Sequence, residues 1–318
     1  MWADAVIKPL FARASPQGRH ARLSVLIFHR VLAQPDPLFP DELCASRFDR
    51  VCGWLKSWFN ILALDDAVAR QTAGTLPERA ACITFDDGYA DNYHVALPVL
   101  QRHGLNATFF IATGFLNGGR MWNDTLIESV RGCALPLLDL TSLGAGQHRL
   151  SSIDERRRAI QVLIGHCKYL PLAHRESLSE EVAKQSGATL PSDLMMTSPE
   201  VIALRQGGMQ IGAHTVSHPI LARLDDQQAH QEIAGSKLCL EQLLGERVSL
   251  FAYPNGKPGE DYTQSTVDIV RRLGFDAAVS TAWGAWGRGQ DSFQIQRFTP
   301  WDAARWRFGV RLLRNLYA

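Results

Sequence analysis

Short apolar runs recur along this chain with helical periodicity between them, and that alternation limits its fold more than any other feature. The runs are 23–29, 60–64, 81–85, 106–113, 209–213, 248–253, 275–280 and 293–298. Most are rich in β-branched and aromatic residues and are bounded by Gly, Pro, Asn or Asp, as strands buried on both faces are. Between them, 47–59, 93–103, 199–206, 225–244, 264–273 and 303–316 carry apolar residues at helical spacing, for example Phe48, Val51, Cys52, Leu55 and Phe59. Ser198 is the expected cap of the 199–206 helix, with Pro199 at its first position. Strands that alternate with helices predict a parallel sheet with crossover helices. Seven or eight such units predict closure into a distorted (β/α)7-8 barrel, with functional residues at the C-terminal ends of the strands. Residues 1–22 read as an N-terminal extension and 23–318 as the barrel domain. Within it, 118–191 breaks the rhythm with Gly-rich turns and charged helical stretches at 153–170 and 175–185. It reads as a helical insertion after the fourth strand.

Composition narrows the partners. The chain has 318 residues, 33 Lys and Arg against 32 Asp and Glu, and 46% hydrophobic residues. That balance supplies no electrostatic footprint for nucleic acid. Six cysteines without a C-x-x-C pair read as buried free thiols and favour a reducing compartment. The start, Met1 to Leu10, has an early acid and no continuous apolar core, and no run has the ~18 apolar residues of a membrane span. The cytoplasm is therefore the expected address. The basic first twenty residues are a candidate for peripheral membrane contact.

Polar residues of metal-ligating and catalytic type collect where strands end. The run at 81–85 stops at Asp86-Asp87-Gly88-Tyr89. Two adjacent carboxylates at the mouth of a buried strand repel each other and lose solvation unless a cation lies beside them. Neighbouring strand residues point to opposite faces, so both reach one site only if the chain turns, and Gly88 permits that. Another run ends at His214-Thr215-Val216-Ser217-His218-Pro219. Two imidazoles and a carboxylate bind a divalent ion and leave positions open for water and substrate. One aspartate then ligates, and the other is free to take a proton from an attacking water.

Thr84-Phe85-Asp86-Asp87-Gly88-Tyr89 and His214-Thr215-Val216-Ser217-His218-Pro219 together resemble the first two motifs of the polysaccharide deacetylase family, the NodB-homology domain of carbohydrate esterase family four. The resemblance runs from about Leu23 to Phe298. It implies a distorted (β/α) barrel and metal-dependent removal of acetyl groups from N-acetylated sugars. It also implies Asp86 as catalytic base and Asp87, His214 and His218 as ligands of a divalent ion, zinc first among the expectations. The family's third motif, Arg-x-Pro-Tyr, is here Ala252-Tyr253-Pro254-Asn255, a form that resembles the exopolysaccharide branch and makes the Asn255 N–H a candidate oxyanion donor. The C-terminal Leu-x-Leu-His motif, source of the general acid in many members, is absent. His29, ending the first barrel strand, is the candidate acid instead.

Arg297 is expected either to orient Asp86 or to bind an anionic group of the substrate. Tyr89, Tyr253 and Pro254 complete the substrate-binding candidates, with Trp122 as a stacking platform for a sugar face and Trp283 and Trp286 as a second. Trp54, Trp58, Trp301 and Trp306 lie in helical patterns and are expected in the core. The expected substrate is an N-acetylhexosamine unit of a glycan or glycan precursor, in exopolysaccharide metabolism. The alternatives are hydrolysis of a non-sugar C–N bond on the same scaffold, and a degenerate member that binds glycan without catalysis.

Overall fold

The computed structural model describes residues 2–318, with backbone alone for 2–6. The chain forms two compact units. The first comprises Met1–Ala33, Leu43–Leu116 and Met196–Ala318. It holds a curled sheet of β1 (Arg22–Phe28), β2 (Asn60–Ile61), β3 (Ala80–Phe85), β4 (Thr108–Ile111), β5 (Gln210–Ala213), β6 (Leu250–Ala252), β7 (Ala277–Val279) and β8 (Trp286–Gly287). The order is β8-β1-β3-β4-β5-β6-β7, with β2 also on β3, and every pairing is parallel except β8 on β1.

The expected last strand at 293–298 exists only as two isolated parallel bridges, Val279 to Ile295 and Leu26 to Phe298. Those bridges matter more than their length. Ile295 N donates to Ala278 O, and Phe298 N to Val25 O. One short segment therefore pairs with the free side of β7 and with β1 beyond its short pairing to β8, and closes the barrel. Closure removes the exposed sheet edge that would otherwise invite pairing with other chains.

Period-2 alternation sorts the strand residues into two cores. Leu23, Val25, Cys82, Phe110, Leu250, Ala252, Val279 and Ile295 form one cluster inside the barrel. Leu26, Phe28, Ile83, Phe85, Phe109, Ile111, Ile211 and Phe251 form the other, beneath the helices. Phe85 stacks on Phe109 at 4.8 Å between centroids and on Phe28 at 5.3 Å. Both faces are covered, so the strands are apolar throughout. Gly212 sits where only glycine fits, because a Cβ there would meet the Phe110 ring at 2.4 Å.

The helix Trp2–Ala14 packs on this unit through Ile7, Phe11 and Ala14, and Phe11 meets Phe59 at 4.6 Å. The helix Leu64–Ala73 was not foreseen in the sequence, where Asp65, Asp66, Arg70 and Gln71 obscure a short apolar stripe. The helix Ser198–Gln206 is capped by Thr197, one residue earlier than expected. Glu200 accepts from both the Thr197 N–H and its hydroxyl. Trp58 is in the core as expected and Trp54 is partly buried, but Trp301 and Trp306 are 69% and 60% exposed. Trp301 precedes the last helix, Arg305–Tyr317, and Trp306 lies opposite the stripe of Phe308, Leu312 and Leu316 that this helix buries.

The second unit comprises Gln34–Glu42 and Asn117–Met195. It contains the helices Trp122–Gly132, Ile153–Cys167 and Leu172–Ser186 and an antiparallel hairpin, Leu137–Leu140 with Gly146–Arg149. Its own core includes Leu126, Val130, Leu138, Leu163 and Val182. Leu38 joins that core, and Arg131 holds the 34–42 segment with a bidentate pair to Asp36 at 3.1 and 2.6 Å.

Candidate active site

Strand parity brings the chemistry to the inside of the barrel. Residues 80, 82, 84 and 86 of the β3 run share one face, and Ala80 and Cys82 belong to the interior cluster. Asp86 therefore points inward. His214 shares the parity of Gly212, and Arg297 that of Ile295. Asp87 has the opposite parity and reaches the same site because the backbone turns over. Asp87 itself has φ of 78° and Gly88 of 92°. Thr215, His218 and Asn255 also have positive φ, at 66°, 52° and 57°. Non-glycine residues held in the left-handed region collect at functional sites because surrounding structure must enforce them.

Asp87, His214 and His218 form a cluster whose ligand atoms lie within 4.8 Å of one another. The Asp87 Oδ1 is 3.4 Å from Nε2 of each histidine. That is longer than a well-formed N–H···O bond, and Oδ1 has no hydrogen-bond partner although it is buried. A buried carboxylate oxygen without a donor, facing two imidazole nitrogens, is the donor set a divalent cation takes. His214 is oriented for this: its Nδ1 lies 2.7 Å from the Ala252 carbonyl oxygen. A carbonyl only accepts, so Nδ1 carries the hydrogen and Nε2 is the nitrogen turned toward Asp87, with its lone pair open to a cation once the ring is neutral. The residues present therefore fit a divalent metal.

The loop carrying both histidines is clamped from the helix Asp226–Leu244. Glu232 accepts from the Val216 and Ser217 N–H groups at 2.9 and 2.8 Å and from the Ser217 hydroxyl at 2.7 Å. The His218 N–H donates to the Thr215 hydroxyl at 3.1 Å. No feature of the sequence singled out Glu232, because its partners are backbone groups of a loop fifteen and sixteen residues away.

Asp86 is 3% exposed and bonded at both oxygens by Arg297, at 2.8 and 2.7 Å. Arg297 is wholly buried. Its Nε donates to Ser280 O at 2.8 Å, and one terminal nitrogen also reaches the Thr84 hydroxyl at 3.2 Å. Burial pushes the Asp86 pKa up, but Arg297 and the neighbouring histidines outweigh it, and the carboxyl stays below its usual value. Asp87 behaves likewise. Burial is overcome by the His214 and His218 rings, and its pKa falls. Burial and the facing carboxylates drive the two histidines apart. For His214 the Asp87 and Asp86 carboxylates prevail and the pKa rises, whereas burial pushes His218 down to about 4. His218 is thus neutral at physiological pH, the form that ligates.

His29 follows β1 directly beside Asp86, since Phe28 pairs with Phe85 and Asp86 N donates to Phe28 O. Its side chain is exposed, and its charge is felt at Asp86, Asp87 and His218. Asn255 is half-buried. The Thr281 hydroxyl donates to its carbonyl at 2.7 Å, while its own N–H meets no acceptor among the described residues.

The substrate-binding expectations need correction where side chains are buried. Tyr253 is fully buried beneath the helices, stacked on Tyr262 at 3.9 Å with its hydroxyl on Phe293 O. Its parity is that of Phe251, which faces away from the barrel interior, so it has no surface for a sugar. Pro254 is buried, and Tyr89 is 4% exposed with the Arg30 guanidinium 4.7 Å above its ring. Arg297 has no exposed surface for a substrate, so of its two expected roles its geometry is that of orienting Asp86. Trp122 begins a helix of the second unit, and Arg175 lies 4.8 Å over its ring. Trp283 is 46% exposed against Phe298, and Trp286 is buried.

Comparison with known proteins gives the family and the fold. The family model described as polysaccharide deacetylase matches residues 73–134 and 177–278, more than half of the chain. The chain belongs to the polysaccharide deacetylase family. The match includes Asp86, Asp87, His214, His218 and Asn255 and leaves out His29 and Arg297. YxkH of Bacillus subtilis (strain 168), a protein assigned provisionally to the polysaccharide deacetylases, is 23% identical over 279 residues, 87% of this chain and 71% of that protein. Among solved structures, the Streptococcus pyogenes deacetylase PplD in complex with acetate has a TM-score of 0.61 at 19% identity, over 93% of this chain and 98% of that one. A de-N-acetylase from Aggregatibacter actinomycetemcomitans has a TM-score of 0.55 at 18% identity, over 87% and 94%. These likenesses show the fold, a curled parallel barrel of the deacetylase type.

Proposed function

We propose that this chain is a metal-dependent hydrolase that removes N-acetyl groups from N-acetylhexosamine units of a glycan or glycan precursor, in exopolysaccharide metabolism. The observation that carries the reading is the division of labour between two adjacent aspartates. The Asp87 oxygen faces two histidines with no donor of its own, while Arg297 holds Asp86 ionised and fixed beside them. Family membership and the named de-N-acetylase among the structural neighbours support the acetamido group as the bond cleaved.

Asp87, His214 and His218 would hold a divalent ion, zinc first among the candidates, whose chemistry when bound is to polarise the amide carbonyl and acidify a water. Asp86, kept ionised by Arg297, would take the proton of the attacking water, and as a weak base it would do so with the help of the acidifying chemistry that a bound ion supplies. Its bidentate contact leaves each carboxylate oxygen a second lone pair for that proton. We assign the Asn255 N–H, which has no protein acceptor among the described residues, as the donor to the tetrahedral oxyanion. His29, at the solvent-exposed end of β1, delivers the proton to the departing amine. This role rests on its position beside Asp86 and on the absence of a histidine in the 293–298 segment. We place this chemistry in the cytoplasm, on the reduced thiols of Cys44, Cys52, Cys82, Cys133, Cys167 and Cys239.

Acetate release from N-acetylglucosamine oligomers, measured with the purified protein and added divalent metal, tests the reading. Wild type is expected to release acetate and to lose the activity to a chelator. Asp86→Asn should abolish turnover with metal still bound, and His218→Ala should lose metal and activity together. His29→Ala should lower kcat by about 10²- to 10⁴-fold with metal affinity kept. An Asp86→Asn enzyme close to wild type would refute the assignment of the base.

A further inference from the structure

The last helix, Arg305–Tyr317, buries one face and leaves the other without a partner. Phe308, Leu312 and Leu316 face the core. Trp306, Val310 and Tyr317 follow each other at i, i+4 and i+11 on the outward side, 60%, 39% and 64% exposed. At 100° per residue they lie within a sector of about 40°. Arg307 and Arg314 flank that stripe, one turn-phase away. Residues 303–318 contain no acid. The nearest preceding carboxylate, Asp302, is taken up by Arg311 at 2.6 Å. No carboxylate among the described residues pairs with Arg307 or Arg314. Trp301, 69% exposed, lies four residues ahead of the helix. The packed neighbour Trp2–Ala14, seated by Ile7 against Gly309, adds exposed Lys8, Leu10 and Arg13.

We infer that this face docks on an anionic lipid bilayer. Tryptophan and tyrosine beside arginines that no carboxylate neutralises, with Arg307 lying 5.2 Å over the Trp306 ring, match the interface between headgroups and acyl chains in polarity and in sign of charge. Neither signal holds a protein to a membrane alone, but a short apolar stripe and a cationic border together do. Among the described residues no helix is long and apolar enough to cross a membrane, so the contact is one of lying on the surface. The helix also starts at the end of the barrel where the site is. It follows the closing segment Ile295 to Phe298, and Arg47, near the start of the helix that follows β1, donates to the Trp301 carbonyl. The far end of the helix reaches the opposite end of the barrel, where Arg22 at the start of β1 donates to the Leu316 carbonyl at 2.6 Å, so docking through this face lays the barrel wall against the headgroups.

Co-sedimentation with vesicles tests the inference directly. The whole protein should pellet with vesicles of phosphatidylcholine containing 30% phosphatidylglycerol at 0.1 M salt. Binding should fall at least tenfold on pure phosphatidylcholine or at 0.5 M salt. Trp301→Ser with Trp306→Ser, and separately Arg307→Glu with Arg314→Glu, should each cut binding at least tenfold. All four side chains are exposed, so thermal unfolding and acetate release from a soluble oligomer should match wild type. Failure of wild type to pellet, equal binding to neutral and anionic vesicles, or full binding by either double variant would overturn it. So would a concentration-dependent dimer abolished by the Trp301/Trp306 variant, which would assign the face to a second copy of the chain.

Discussion

Arg297 decides the electrostatics of the site. An aspartate buried to 3% exposure loses most of its hydration, and only a close, well-oriented cation keeps it charged. Arg297 supplies that charge in bidentate form, and Ser280 O and the Thr84 hydroxyl hold the guanidinium in turn. Removing one partner leaves the other buried and uncompensated. Arg297→Leu is therefore expected to cost about 3–5 kcal/mol, read by urea unfolding. Asp86→Asn keeps an acceptor for the guanidinium and should cost less. The two variants also separate in acid. The folded-state pKa of Asp86 lies below the ~3.9 of an unfolded aspartate. Its contribution is fully present above that unfolded value and is lost as pH falls through the lower folded value. Stability measured from pH 5 to pH 2 in metal-free buffer should thus fall less steeply for Asp86→Asn than for wild type. Equal slopes would mean that Asp86 is not held ionised by Arg297.

At the scale of elements, strand ends made much of the site legible. In the sequence, Asp86-Asp87 and His214 to His218 each close a buried apolar run, and that strand-end placement is what brought them to one cavity; the structure adds that Asp86 shares the inward face of Ala80 and Cys82. Parity also excluded Tyr253, two residues beyond Phe251 on the outer face, but the resemblance of its motif to a substrate loop hid that. What parity cannot show is pairing across the barrel. Arg297 and Asp86 are 211 residues apart, and they meet because the closing segment joins β7 to β1. Helical spacing misled in the same way at Trp306. It shows that a stripe exists and leaves open which side of the helix is covered. Glu232 was illegible for a third reason, since it recognises backbone N–H groups, which carry no sequence signal. Its clamp yields a prediction. Glu232→Ala removes three accepted bonds from the loop that holds His214 and His218. Metal affinity, measured by chelator competition, should fall about 10- to 100-fold, as when an outer support of a ligand is lost. Glu232→Gln keeps an acceptor and should lie between. Unchanged affinity in Glu232→Ala would show that the loop holds its shape without the clamp.

The whole molecule offers a different test, because the metal site and the insertion belong to separate compact units. Asp87, His214 and His218 all lie in the barrel unit, on the turn after β3 and on the loop that follows β5. A ligand that binds only the folded state stabilises by mass action, about 2.7 kcal/mol at a hundredfold excess over Kd. Part of the affinity behind that Kd comes from Asp87, since a cation satisfies the oxygen that otherwise sits buried without a donor. In this chain that stabilisation is confined to the cooperative unit that contains the ligands. Calorimetry with a saturating divalent metal should therefore raise the barrel transition by several degrees, at about 2–4 °C per kcal/mol. A transition of the 117–195 unit, if resolved, should stay where it is. Chelator should reverse the rise, and Asp86→Asn should preserve it, because that substitution leaves all three ligands in place. His218→Ala should remove it. A rise that survives in His218→Ala would place the stabilising ion elsewhere on the protein.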